Sequence, residues 1–221
     1  MSQIKENPAL VAAQEAQRKI NEALDAGYSF RLEAGAGAGK TYSLVAALKK
    51  LIDERGSMLV RTGKKVACIT YTEVARNEIA QEIEDHPAIL VDTIHGFCWA
   101  FIRQFQKAIR DLVSEIDDKK EKIELGGGIG SQLVEYDLGF FSVDEKRITL
   151  NHDDIPELMA MLLAKEKFQM LFSEQFPVIF IDEYQDTNRK FMDAITEFFL
   201  KPKTGPIIGL FGDHWQTIYS S

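Results

Sequence analysis

Apolar residues along the chain follow two rhythms, a helical spacing of three to four and short unbroken runs, and the two alternate. Leu10, Ala13, Ile20 and Leu24 recur broadly at helical spacing, predicting a helix over 9–26 that Gly27 ends. The run 28–32 predicts a strand; a Gly/Ala loop follows it, then a helical pattern over 42–51. Gly56 and the basic stretch 61–65 predict a connection, such as a short hairpin. Val66 to Thr70 is apolar without alternation, as expected of a strand covered on both faces. Thr72 is placed to cap a helix over 73–84 with Val74, Ile79 and Ile83 inward. Ile89 to Val91 predicts another strand, and a helix opens near Thr93 and runs through Phe97, Ala100, Phe101 and Phe105. Further on, Pro156 stands early in a predicted helix over 155–171, with Leu158, Met161, Leu162 and Phe168 on its apolar side. The most hydrophobic strand, 177–181, precedes a helix over 189–200 and a last strand over 207–211. Strands alternating with helices predict an α/β fold with a mostly parallel sheet flanked by helices. Each polar group emerges at a strand's C-terminal end, so ligands are expected along that edge.

The rhythm fails between about 110 and 154. A charge run, 117–122, and the glycine tract 126–130 interrupt it, and 140–143 and 147–150 are marginal strands. The tract lacks a Gly-Lys-Ser/Thr ending and a strong preceding strand, so it reads as a loop and not as a second phosphate site. Residues 101–154 are therefore expected to be a small inserted subdomain, and 1–100 with 155–221 the main domain.

Composition narrows the partners. At 221 residues with 45% apolar content, the chain can bury a sizeable core. Cys68 and Cys98 lie in buried-type runs and suggest reduced structural thiols without a metal site, so a cytoplasmic, non-membrane protein is expected. Net charge is −8, unevenly distributed: residues 1–110 carry 15 basic and 13 acidic side chains (+2), and residues 111–221 carry 11 and 21 (−10). Charge alone therefore neither vetoes a local nucleic-acid track nor supports one.

The chemistry concentrates in two stretches. Ala34-Gly35-Ala36-Gly37-Ala38-Gly39-Lys40-Thr41 sits between predicted strand and helix, in the order of a phosphate-binding loop. Its small residues let backbone N–H groups curl around phosphate oxygens, and the helix N-terminus adds positive potential. Lys40 would reach the β- and γ-phosphates, and the Thr41 hydroxyl would hold Mg2+. The strict pattern has Gly where this chain has Ala34. Asp182, at the end of the most apolar strand, supplies the acidic partner for Mg2+. Glu183, one step further, can be aimed at an attacking water as general base.

The motifs Ala34 to Thr41, Ile69 to Ala75, Asp92 to Cys98, Ile181 to Asn188 and Gly212 to Tyr219, in that order, resemble the N-terminal ATP-binding, RecA-like part of superfamily 1 DNA helicases, the UvrD/Rep/PcrA-like group. The family tolerates Ala at the first loop position. The resemblance implies that Gln185 and Gln216 sense the γ-phosphate beside Asp213. It also implies that an upstream glutamine reads the adenine edge; Gln14 and Gln17 compete, and Arg18 and Ile20 favour Gln17. Thr70, Tyr71 and Thr72 match the first DNA motif and Thr93, His95 and Phe97 the second. Tyr71 either stacks a base or packs between sheet and helix, and His95 either meets phosphate or is satisfied within the fold. His214-Trp215 departs from the family's usual small or acidic pair.

The function implied is ATP-driven 3′–5′ translocation on single-stranded DNA with strand separation, at a duplex junction in the parent protein, of the kind used in DNA repair. A second RecA-like domain is expected beyond Ser221, which makes the chain an expression fragment or a natural truncation. The alternatives are an ATP-switched nucleic-acid or protein-binding module, or a subunit of an ATP-dependent nuclease or defence complex.

Overall fold

The computed structural model describes residues 8–35, 39–202 and 205–213. In chain order the elements are α1 (Pro8–Ala26), β1 (Phe30–Glu33), α2 (Lys40–Thr62), β2 (Val66–Thr70), α3 (Glu73–Glu82), β3 (Ile89–Thr93), α4 (Ile94–Ile102), α5 (Gln106–Val113), α6 (Lys120–Leu125), β4 (Leu133–Tyr136), β5 (Ser142–Val143), β6 (Arg147–Leu150), α7 (Asp154–Leu163), α8 (Glu166–Gln175), β7 (Val178–Asp182), α9 (Arg189–Ile195) and β8 (Ile207–Gly212). They form two compact units: Met1–Thr93 with Ser173–Thr187 and Gly205–Ser221, and Ile94–Phe172 with Asn188–Thr204.

The first unit is built on a five-stranded sheet of order β1-β8-β7-β2-β3, every pairing parallel. This is the α/β class with a parallel sheet that the alternation of runs predicts, in the RecA-like P-loop topology that the resemblance implies. β2 and β7 are buried at every position, in keeping with their unbroken apolar runs. On one face Ile20 and Leu24 of α1, Leu44, Leu48, Leu51 and Leu59 of α2 and Ile79 of α3 close over Val66, Cys68, Val178, Phe180 and Phe211. Register across the middle strands turns on Gly209, which pairs with Phe30 on one side and Phe180 on the other. A Cβ there would stand 2.7 Å from both rings. Without one, Phe30, Phe180 and Phe211 meet edge to face at centroid separations of 5.4–6.0 Å.

α2 corrects the expected connection at Gly56. The helix runs on to Thr62 and ends at Gly63, whose φ of 69° lets the N–H groups of Gly63 and Lys64 close back on Val60 and Leu59. Gly56 is buried within it, and a Cβ there would press on the His86 ring at 3.1 Å. The cap at Thr72 is as expected: its side chain accepts from the Ala75 N–H at 3.1 Å.

The second unit contains the 101–154 stretch. It has a three-stranded sheet of order β4-β6-β5, parallel between β4 and β6 and antiparallel between β6 and β5. The two marginal strands are real, and β4 is the partner that the pattern missed. The single helix expected over 155–171 is broken into α7 and α8. Its buried positions 158, 159, 162 and 163 fall out of phase with 168 and 172, and the Gln169 amide donates to the Leu163 carbonyl at the break. α9 passes into a π-helical turn over Thr196–Leu200.

A buried ion pair joins Lys119 to Asp154 at 2.6 Å, with the ammonium 4.6 Å over the Phe141 ring. Asp154 also accepts from the Asn151 N–H. Asp154→Ala strands a buried ammonium and should cost about 3–5 kcal/mol in urea unfolding, whereas Lys119→Met with Asp154→Leu should recover most of that loss.

Candidate functional site: a phosphate-binding sheet edge

In the first unit, the C-terminal ends of β1, β8 and β7 lie side by side. Glu33 pairs with Gly212, Asp182 pairs with Phe211, and the Ala34 N–H donates to the Gly212 carbonyl at 3.1 Å. Gly39, at φ 84°, turns the chain into α2 without a side-chain cap, leaving that helix's first N–H groups for another acceptor. Lys40, 7% exposed, donates from Nζ to the Ala34 carbonyl at 2.9 Å and stands 3.7 Å from Glu183 Oε1. The Thr41 hydroxyl belongs to an exposed residue at the same helix start. Ala34 and Gly35 lead into the loop; Ala36, Gly37, Ala38 and, near the end, His214, Trp215 and Gln216 lie outside the described residues.

Asp182 is 5% exposed, and its Oδ1 has no hydrogen-bond partner among the described residues. Burial, and then the neighbouring Glu183 charge, push its carboxyl up to about 6. A buried acceptor without a donor is costly unless a cation or a proton meets it. With the Thr41 hydroxyl, next in the chain to Lys40, this is oxygen chemistry suited to Mg2+, which binds through one or two protein ligands plus substrate phosphates. No cluster of three or more His, Cys, Asp or Glu side chains able to hold a metal occurs among the described residues. Glu183 sits at φ 45°, a left-handed conformation that turns its carboxylate aside from the strand direction. Its Oε2 accepts from Gln185 Nε2 at 2.6 Å, and Gln185 Oε1 accepts from the Asp213 N–H at 3.2 Å.

Gln17 donates to Asn21 Oδ1 at 3.1 Å, while its own Oε1 is buried without a partner among the described residues. Burial raises the Cys68 thiol behind the site, in keeping with a structural cysteine.

The residues of the two expected DNA motifs have different surroundings. Thr70 is 1% exposed, and its hydroxyl donates to the Thr72 carbonyl. Thr72 is committed to its cap. Tyr71, between them at the end of β2, is 58% exposed, which corrects the packed alternative. Thr93 ends β3 on the same edge. Phe97 is fully buried in the second unit, edge-on to Phe172 and Phe191, so no face is left for a nucleic acid. His95, also in that unit, stacks on His152 at 3.3 Å between ring centroids, and His152 Nδ1 is hydrogen-bonded to Tyr136. Burial and then the His152 ring hold His95 down at about 4, so it is neutral at physiological pH.

Sequence reasoning named Gly212 only as the start of the last motif and gave no role to it or to Glu33. The Tyr184 hydroxyl donates to Glu33 at 3.2 Å, and a Cβ on Gly212 would lie 2.6 Å from the Tyr184 ring. A glycine closing an apolar strand was the available signal.

The sheet order, the loop-to-helix turn and the acidic strand end define a P-loop ATPase domain. The chain belongs to the AAA domain family, whose model matches residues 16–221. It is also similar to Gabija protein GajB of Bacillus cereus (strain HuB5-5), with 24% identity over 93% of this chain. The chain spans 44% of that relative's length. No helix among the described residues is long and apolar enough to cross a membrane.

The His95 environment sets a pH dependence. Its folded pKa lies below the unfolded value of 6.5, so its neutral form stabilises the fold fully above about 6.5, and this contribution is lost as pH falls toward 4. Urea unfolding at pH 7.5 and 5.0 should show a smaller acid loss in His95→Gln than in the wild-type chain.

Proposed function

We propose that this chain is the ATP-binding and ATP-hydrolysing part of a subunit in a larger nuclease or defence complex, where the nucleotide governs engagement of nucleic acid or a protein partner. The observation that carries the ATPase site is the buried Asp182 Oδ1, without a hydrogen-bond partner among the described residues, close to Lys40 and Glu183. Similarity to Gabija protein GajB supports the complex over a self-sufficient motor.

In this reading Lys40 exchanges the Ala34 carbonyl for phosphate oxygens, and the N–H groups of Gly39 to Thr41 point at the same anion. Thr41 and Asp182 would hold Mg2+, which when bound supplies charge neutralisation on the phosphates. Glu183, held by Gln185, takes a proton from the attacking water, Asp213 borders the γ-phosphate position, and Gln17 offers its Oε1, without a partner among the described residues, to an adenine amino group. Gln216 is assigned with them by resemblance alone.

A second reading, 3′–5′ translocation on single-stranded DNA with strand separation, is favoured by the exposed Tyr71 ring on the sheet edge that carries the phosphate site. A ring there can stack a base without reading sequence. Thr93 would add backbone contacts.

Calorimetric titration with Mg-ATP tests the first reading: Lys40→Ala should remove most of the binding, and equal affinity would sink the assignment. Glu183→Gln should keep nucleotide bound and slow hydrolysis by about 10²–10⁴-fold. Tyr71→Ala should weaken binding of a short labelled oligonucleotide by about 1–3 kcal/mol in fluorescence anisotropy. Unchanged DNA affinity in the variant would remove Tyr71 from the DNA track.

A further inference from the structure

Lys40, at the start of α2, and Glu183, just past the end of β7, carry opposite charges, yet they do not close into a tight ion pair. Nζ bonds to the Ala34 carbonyl at 2.9 Å and stays 3.7 Å from Glu183 Oε1. What restrains the carboxylate is visible on its other oxygen: Gln185 Nε2 holds Oε2 at 2.6 Å. Gln185 is itself fastened, because its Oε1 accepts the Asp213 N–H at 3.2 Å and its Nε2 also reaches Asp186 Oδ2 at 3.3 Å. The amide lies against Gly212, where a Cβ would fall on Gln185 Oε1 and within 2.6 Å of the Tyr184 ring. The end of a flexible amide gives way to such a Cβ more readily than a ring held by Glu33.

We propose that Gln185 is a positioning residue that holds the Glu183 carboxylate off Lys40, so that the lysine stays available to phosphate, and that Gly212 leaves the space this amide needs. The proposal rests on the phosphate-site reading above and deepens it. Gln185 acts through Glu183 and not through the phosphate itself. Released from the amide, the carboxylate is drawn onto the ammonium by attraction in a partly dehydrated pocket, and there it competes with the incoming phosphates. The left-handed backbone at Glu183 keeps the carboxylate within reach of both partners.

The test is a suppressor cycle, read as the dissociation constant of a non-hydrolysable ATP analogue with Mg2+, for the wild-type chain, Gln185→Leu, Glu183→Gln and the double variant. Gln185→Leu should weaken binding about three- to tenfold, the range of a charge-assisted contact near the surface. Glu183→Gln alone should bind at least as tightly as wild type, and the double variant should match it, because without the charge there is nothing to hold back. Gly212→Ala should weaken binding in the same direction and be suppressed in the same way; thermal melts identify any variant that has lost its fold. A Gln185→Leu defect that persists in the Glu183→Gln background would overturn the proposal, as would unchanged affinity in Gln185→Leu. Lys40→Ala separates the two levels. If it binds the analogue as well as wild type, the phosphate-site reading fails and the positioning role fails with it. If Lys40→Ala loses binding but Gln185→Leu does not, only the positioning role is lost.

Discussion

The close approach of two phenylalanines across a glycine sets the geometry on which the candidate site depends. Gly209 lets Phe30 and Phe180 converge from the flanking strands, with Phe211 two residues further along β8. That packing ties β1, β8 and β7 to one register, and a slip by one residue would turn each apolar set to the wrong face. With the register held, the strand ends follow: Glu33 beside Gly212, and Asp182 beside Phe211. Chemistry separated by some 150 residues of sequence is thereby brought onto one edge.

That edge is electrostatically unfinished. The Asp182 carboxylate has been taken out of water without a donor for one oxygen among the described residues, and Glu183 adds a second negative charge next to it. Lys40 offsets part of this, but its bond goes to a carbonyl. Such a set is poorly compensated alone and well compensated by a divalent cation with phosphates, the logic by which sites gain from their ligands what their folds leave unsatisfied. The buried pair Lys119–Asp154 in the second unit is the contrast: both charges are matched, and Asp154 accepts a further backbone N–H.

Where the pattern misled, tertiary contacts had overridden a local signal. Gly56 reads as a break, yet it lies inside a 23-residue helix where a Cβ would press on His86, and the true end is set by the left-handed Gly63. The 155–171 stretch has enough apolar residues for one helix, but those residues do not share a face, so the chain divides. β4 was hidden because a short strand shows itself mainly by pairing, and its partner β6 lies beyond an intervening loop and β5. Phe97 shares a motif with His95, but its side chain packs inward among other phenylalanines.

The sequence by itself determined the α/β class, the strand-loop-helix around Lys40 and the acidic end of β7, because these depend on local periodicity and on residue types adjacent in the chain. It also determined the cap at Thr72 and the loop character of the glycine tract, both matters of local backbone chemistry. Only the tertiary structure decided that Tyr71 faces solvent while Thr70 does not, and that His95 is stacked and neutral. It also decided that Glu183, Gln185 and Gly212 form one connected arrangement. Exposure, desolvation and the room left by a missing Cβ depend on neighbours distant in the chain, and no spacing along a single strand encodes them.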